Sequence, residues 1–507
     1  MARRESARAK KHAERAKPPK INPCPPGQAG GRYQPLSELQ IKQLYDEALR
    51  ILENIGLNDV PEVLHKQAID HGATINSNGR LCYPASMVER CIASACKEFT
   101  FYGRDPKHDI QVGGDRVYFG TGGAAVQTLD RDTEEYRPST LSDLYDFTRL
   151  VDQLPNVSWF TRCCIATDVE DIYELDINTA YALLRGTNKP VATSFTLAAN
   201  VDPVIDMFDM ALGGPGKFAE KPFCKAHISP IISPLKYGED AVMVALACMK
   251  RGMPISNIVA TMTGATAPGP LAGTLSISLA ETLAALVMIN IFEPGYPMIF
   301  SNWPLVIDLR TGAFRGGSGE MALLNAASAQ LSNAIGLPSG CASSMTDAKL
   351  PDAQMGMEKG ITALACGLAG GNMIYESSGM MASLLGVSFE AFVMDDEMLS
   401  LVHRVIRGIE INKQSLEYES IESVVSGEGH FIGQPETMLS MERDYYYPKI
   451  ADREEPAVWQ DRGGLDHLSR AKYKVSELLE HHPDYLDYEV DKEIRKSYPI
   501  LLPAKTK

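Results

Sequence analysis

Between Leu337 and Lys359 the chain reads LPSGCASSMTDAKLPDAQMGMEK. A short run of apolar and small residues ends near Ala342, and Thr346, Asp347, Lys349, Asp352, Gln354 and Glu358 follow in close order. A buried strand emptying into a loop with acids, a lysine and an amide has the make-up of a site. Asp and Pro also open helices, so the same residues would serve as a helix start. Elsewhere the chemistry is sparse. Ten cysteines show no CxxC pair and no His/Cys ligand spacing, HExxH is absent, and no Ser-His-Asp arrangement stands out. No metal set is expected. Cys163 and Cys164, adjacent in an apolar run, read as buried core, and reduced cytoplasmic thiols are the default.

Composition narrows the classes. With 507 residues and 45% hydrophobic content there is enough chain for a sizeable core. Lys+Arg 49 against Asp+Glu 64 leaves −15, which argues for a soluble protein and against a nucleic-acid surface. The exception is Met1 to Lys20, rich in Arg and Lys. It lacks the apolar core of a secretory signal and, although Arg-rich like a transit peptide, reads as a solvated arm or docking tail. Leu275 to Phe292 is apolar but broken by Glu281, so a buried helix is expected there and no membrane span.

The elements that must position a site come next. Residues 1–31 form the arm and a Pro/Gly-rich linker. Ile41, Leu44, Tyr45, Ala48, Leu52 and Ile55 mark one face of a helix over 37–55. Short β-like pieces follow, among them Phe99–Tyr102 and Arg116–Phe119, so residues 32–150 read as an N-terminal cap. From Ser158 strand-length apolar runs recur, several announced by Pro190, Pro222, Pro254, Pro297 and Pro338. Proline is tolerated at the first position of a strand. With Trp159–Ile165 before them and Met373–Tyr375 and Phe392–Met394 after, the runs and the helical stretches between them make eight strand–helix units. That is the count of an α/β (β/α)8 TIM barrel, expected over 151–410, with a C-terminal helical extension over 411–507. A doubly wound sheet fits less well, because no Gly-rich phosphate loop follows an early strand.

In a barrel the catalytic groups lie at the carboxyl ends of the strands. Those ends offer Thr167, Asp168, Thr193, Ser194, His227, Thr261, Asn302, Trp303, Thr346, Asp347, Tyr375, Glu376, Asp395 and Asp396. Carboxylates, hydroxyls and aromatics without a metal set suit recognition of an organic cation, whose charge an aromatic face attracts. Trp303 and Tyr375 are the first candidates, with Phe195, Tyr102 and Tyr118 behind them, although each aromatic taken singly reads more readily as core. His227 would be a substrate contact or a hydrogen-bonded structural group. Arg310 would bind a ligand carboxylate or pair with Asp308.

Several ordered motifs carry a resemblance. They are Tyr102-Gly-Arg-Asp-Pro106, Gly264-Ala-Thr-Ala-Pro268 with Leu271–Leu275 and Glu281, Asp308-Leu-Arg-Thr-Gly312, Glu320, Thr346-Asp-Ala-Lys349 with Asp352-Ala-Gln354, Asp395 with Glu397, Gly427-Glu-Gly-His-Phe431 and the Trp459 region. Over roughly 30–487 the chain resembles the trimethylamine methyltransferase (MttB-like) family. The resemblance implies a barrel enzyme that moves a methyl group from a methylated amine to cobalt(I) of a separate corrinoid protein. The trimethylamine branch carries pyrrolysine just before Thr-Asp-Ala-Lys, where this chain has Ser343-Ser344-Met345. That departure points to the members without pyrrolysine, which include demethylases of quaternary amines such as glycine betaine.

A quaternary nitrogen already carries its charge and leaves as a neutral amine. The enzyme then has to hold, desolvate and aim the substrate, and no acid–base pair is required. The chain lacks the Asp-x-His-x-x-Gly motif of corrinoid proteins, so the corrinoid is expected on a partner and no cofactor bound tightly here. On this reading Glu320, Asp347 and Glu376 line the mouth, or else serve as helix caps and ion-pair partners. Gly264, Thr266 and Gly273 lie in a segment that would let a flat macrocycle approach the backbone. A quaternary-amine binding or sensing barrel, and a methyltransferase with a pterin acceptor, stay open as alternatives. So does self-association.

Overall fold

The computed structural model describes residues 22–427 and 429–504. The basic arm over 1–20, and Glu428 of the Gly427–Phe431 motif, lie outside them. Eight parallel strands form the barrel: β1 (Arg116–Phe119), β2 (Phe160–Thr161), β3 (Val191–Thr193), β4 (Cys224–Ile228), β5 (Ile255–Thr263), β6 (Met298–Val306), β7 (Ser339–Ala342) and β8 (Met373–Tyr375). Hydrogen bonding runs β1-β8-β7-β6-β5-β4-β3-β2. Parallel bridges from Phe119 to Val157 and from Ala125 to Cys164 join the two ends into a ring. Gln28–Ala29 pairs antiparallel with Val117 and Arg116, covering the rest of the β1 edge. The fold is the expected barrel with an N-terminal cap and a C-terminal helical extension.

One strand differs from expectation. Phe392–Met394 lies inside the helix Phe389–Arg407, which Ser388 caps by accepting the N–H of Ala391. The barrel's first strand is Arg116–Phe119, from within the stretch read as cap. An apolar triplet has no period of its own, and here the cap and the acids of Phe389–Arg407 make it helical. Arg116–Phe119, between Gly114 and Gly120, reads locally as part of a hairpin. Only its pairing with Met373 and Ile374 makes it a barrel strand.

The helix Leu271–Phe292 is long and apolar enough to cross a membrane, yet 89% of its most apolar window is buried inside the fold. It packs between β5 and β6 on one side and the helix Glu38–Asn54 on the other. Glu281 at its centre accepts from Ser233 Oγ and from the Leu235 N–H at 2.6 Å, so it anchors the loop after β4. Burial raises its carboxyl to about 7. The helix Glu38–Asn54 starts where its pattern placed it, with Ser37 and Gln40 forming a reciprocal cap.

Lys359 on the helix Ala353–Ala369 and Asp395 on Phe389–Arg407 form a fully buried ion pair at 2.6 Å. Asp395 also accepts the Gly379 N–H at 2.8 Å, which fixes the loop after β8. Two residues on, Glu397 accepts the N–H groups of Lys449, Ile450 and Ala451, docking the C-terminal extension. Lys359→Met strands a buried carboxylate and is expected to lower stability by about 3–5 kcal/mol in urea unfolding. The double variant Lys359→Met, Asp395→Leu should recover most of that loss.

Candidate active site

Lys225 and His227 are two residues apart on β4, so they share a face. That face is the barrel interior. Lys225 Nζ lies 4.6 Å from the centroid of the Tyr375 ring, and His227 stacks on the same ring at 5.2 Å and 18°. The Tyr375 hydroxyl crosses from β8 to Ser256 Oγ on β5 at 2.9 Å, and Ser256 bonds Ser301 Oγ on β6 at 3.0 Å. Trp303, two residues beyond Ser301, lies 5.3 Å from the Tyr375 ring and 5.7 Å from His227. Trp159, just before β2, meets Tyr375 edge-on at 5.3 Å. Gly120 leaves room for it, since a Cβ there would sit 2.1 Å from the indole. Phe101 closes the chamber below, 5.8 Å from Lys225 Nζ.

The interior holds polar groups that nothing satisfies. Lys225 Nζ, His227 Nε2, Trp303 Nε1, Trp159 Nε1 and one Glu376 oxygen are buried without a hydrogen-bond partner. Such orphans are rare and costly in a closed core, which marks this volume as a binding chamber. His227 lies deep yet keeps accessible surface, as do Ala260 and Met262. Burial pushes Lys225 down to about 7, against a small opposing effect of Cys224. Burial, then the charges of Lys225 and Arg162, drive His227 well below its usual range, so the ring is neutral.

Glu376 follows Tyr375 at the carboxyl end of β8, with φ of 66°. Its carboxyl fills a cradle left by two glycines. A Cβ at Gly122 would lie 2.7 Å from one oxygen, and one at Gly123 3.0 Å from the other. Burial raises it to about 8, against the Gly123 N–H and the Lys359 charge.

The other expected acids are elsewhere. Asp347 accepts from the Gly316 N–H at 2.9 Å and from Ser383 Oγ at 2.7 Å, and lies 3.9 Å from Arg315, so it staples three loops together. Glu320 is exposed in the first turn of the helix Gly319–Ala334. Asp352 caps Ala353–Ala369, accepting from Gln354 and Met355, and Glu358 turns back to Thr346 and the Asp347 N–H. Most of the polar residues after Ala342 are therefore loop and helix-start groups. Ser343, Ser344 and Met345 are fully buried.

Among the substrate candidates, Trp303, Tyr375 and His227 come together. Arg310 is 87% exposed and paired with Asp308 at 2.8 Å, so it takes the second of its two expected readings. Phe195 is partly buried after β3 and makes none of the ring contacts around Tyr375. Tyr102 belongs to the hairpin under the barrel, where the Arg104 N–H reaches the Asn188 carbonyl just before β3. Tyr118 likewise faces Gly27, away from the mouth. The segment Gly264–Gly273 lies at the carboxyl end of β5, but its glycines serve its own packing. Gly264, at φ 81°, makes room for Leu309, and Gly273 abuts Pro268. Thr266 accepts the Met262 N–H at 2.8 Å. Lys225 and Trp159 were not expected. Lys225 is the sole charge in its strand-length apolar run, a signal the sequence does carry.

The sequence matches the family described as trimethylamine methyltransferase (MTTB) over residues 2–498. The chain belongs to this family of methyltransferases. It is 28% identical to the glycine betaine methyltransferase of Desulfitobacterium hafniense, over 92% of this chain and 97% of that relative. It is 29% identical to the trimethylamine methyltransferase MttB of Desulfitobacterium hafniense, over 88% and 89%. Among solved structures, the monomethylamine methyltransferase (MtmB) of Methanosarcina barkeri aligns with a TM-score of 0.49 at 13% identity, over 89% of this chain and 96% of that one.

The Glu376 carboxyl of this family member gives a pH test. Its raised value means that the folded chain holds the proton while the unfolded chain, at about 4.5, releases it. Its stabilising contribution is complete below that value and is lost as pH rises through about 8. Glu376→Gln, which keeps the shape without the ionisation, should match wild type near the lower limit. It should gain on the order of a few kcal/mol towards the upper one. A gap in unfolding free energy that does not change with pH would mean an ionised carboxylate throughout.

Proposed function

We propose that the chain transfers a methyl group from a quaternary methylated amine of the glycine betaine type to cobalt(I) of a corrinoid carried by a separate protein. The observation that supports this most is the aromatic chamber around Tyr375, inside a barrel of a methyltransferase family. The electron pair of cobalt(I) forms the new bond to the methyl carbon, and the pair of the broken carbon–nitrogen bond stays on nitrogen. The products are a neutral tertiary amine and a methylated corrinoid, and no proton moves.

The residues suit that balance. Positive charge on nitrogen fades as the methyl departs, so strong pairing of the ammonium would favour the ground state over the transition state. Trp303 and Tyr375 offer the weaker attraction of ring faces. The nearby acid, Glu376, is held protonated at neutral pH. The buried Ser343–Ser344–Met345, where the resemblance implies pyrrolysine in the trimethylamine branch, supports a quaternary substrate over trimethylamine.

The test is to mix the chain with cob(I)alamin and glycine betaine, carnitine, proline betaine, choline or trimethylamine, and to follow methylcobalamin by absorbance. Transfer from a quaternary amine is the expected result. Binding of several amines without transfer to cobalt would favour the binding or sensing barrel, and transfer only to a pterin would move the acceptor. Trp303→Ala should raise the amine KM by roughly 3- to 30-fold with a smaller effect on kcat, as the loss of one desolvated cation–π contact predicts. An unchanged KM would remove Trp303 from the amine site.

A further inference from the structure

An amine of the chain itself already stands on the aromatic surface of the chamber. Lys225 Nζ lies 4.6 Å from the centroid of the Tyr375 ring and 5.8 Å from that of Phe101. The strand register sets its other neighbours. Ala192 stands level with it on β3, and Ser256 on β5 pairs with His227, one interior position higher. Neither side brings an acid. Lys225 makes no hydrogen bond through Nζ and no ion pair among the described residues. Two other buried lysines are fully answered: Lys189 donates to the carbonyls of Val151, Leu154 and Val157, and Lys359 pairs with Asp395. Lys225 has ring faces alone.

Few groups around it titrate. His227 is neutral, burial holds the Tyr375 phenol protonated, and the Cys224 thiol on the other face of β4 is pushed up to about 12. Glu376, next along β8, keeps its proton up to about 8. Burial brings Lys225 itself down to about 7. A cation held by an aromatic face stands within about 6 Å of the ring centroid. With Nζ 4.6 Å from the same centroid, the two charges are at most about 11 Å apart. At that separation, in the effective dielectric of a protein interior, their repulsion amounts to about tenfold in a binding constant, and to more at closer approach.

We infer that Lys225 competes as a cation with the methylated amine for the Tyr375 ring, so that the chamber takes up the amine as Lys225 releases its proton to solvent. The inference rests on the amine-binding part of the methyl-transfer reading and adds to it a residue that sets the affinity for cations. Only the N–H bond of Lys225 breaks, and the charge of the chamber stays at one. The proton leaves at binding, ahead of the transfer itself. Above about 7 Lys225 is already neutral, and the amine binds with no proton displaced. Below that value each bound amine displaces a proton, and affinity falls as pH falls.

Calorimetric titration of the whole chain with tetramethylammonium chloride, a cation that neither titrates nor carries a carboxylate, tests this between about pH 5.5 and 8. Wild-type affinity should rise about tenfold across that range. Near pH 6, parallel titrations in phosphate and bis-tris, whose ionisation enthalpies differ, should show release of on the order of half a proton per cation bound. Lys225→Met should bind about tenfold more tightly than wild type at the acid end, with little change at the other, and release no proton. Glu376→Gln should keep the step near neutrality, which separates it from any gain as Glu376 ionises. Circular dichroism melts check that the variants fold, and the wild-type proton count stands without them. Binding with a flat pH profile and no proton released overturns the competition and leaves the amine site. No binding of tetramethylammonium at the upper end overturns both. A proton released on binding without methyl transfer to cob(I)alamin overturns the reaction alone.

Discussion

Tyr375 spans the barrel, and the interior is arranged around its ring. A buried phenol needs a partner for its hydroxyl, and Ser256 on the far side supplies it, backed by Ser301. With the ring held at both ends, its edges and faces become fixed surfaces for His227, Trp303, Trp159 and Lys225. Small residues are needed wherever these rings pass close to the backbone, as at Gly120 under Trp159. Removal of that crossbar would free four side chains at once.

Around this centre the charges divide by what they touch. Carboxylates in the segments after β7 and β8 mostly hold protein together: Asp347 joins three loops, Asp395 pairs with Lys359, and Glu397 receives three successive backbone N–H groups. Glu376 stands apart, protonated in its glycine cradle. The cation inside is Lys225, set against the Tyr375 ring. Ring faces rather than ionised acids suit a substrate whose charge vanishes from nitrogen as it reacts.

The strand–helix rhythm was legible because barrel strands are buried on both faces and read as apolar runs, and helices announce themselves by period and cap. Seven of the eight strands, the helix Glu38–Asn54 and the buried helix with Glu281 follow from that. Arg116–Phe119 did not, since a four-residue strand has too few residues for a pattern and its partner in β8 is more than two hundred residues away. The loop after Ala342 was legible as a dense polar stretch, but not as a scaffold. Whether an acid faces a ligand or a backbone N–H depends on where the chain turns back, as it does at Glu358.

The aromatics and the cations divide along the same line. Residue types and motifs alone determined the fold class, the family resemblance, and Trp303 and Tyr375 as aromatics at strand ends, because each is a local property of the chain. Tertiary structure decided which charges meet the chamber. Arg310, beside an acid in sequence, folds onto that acid at the surface, while Lys225, hidden in an apolar run, is carried inward. The physical reason is that the side-chain alternation of a strand sets which residues share a face, but only closure of the ring turns one of those faces into an interior.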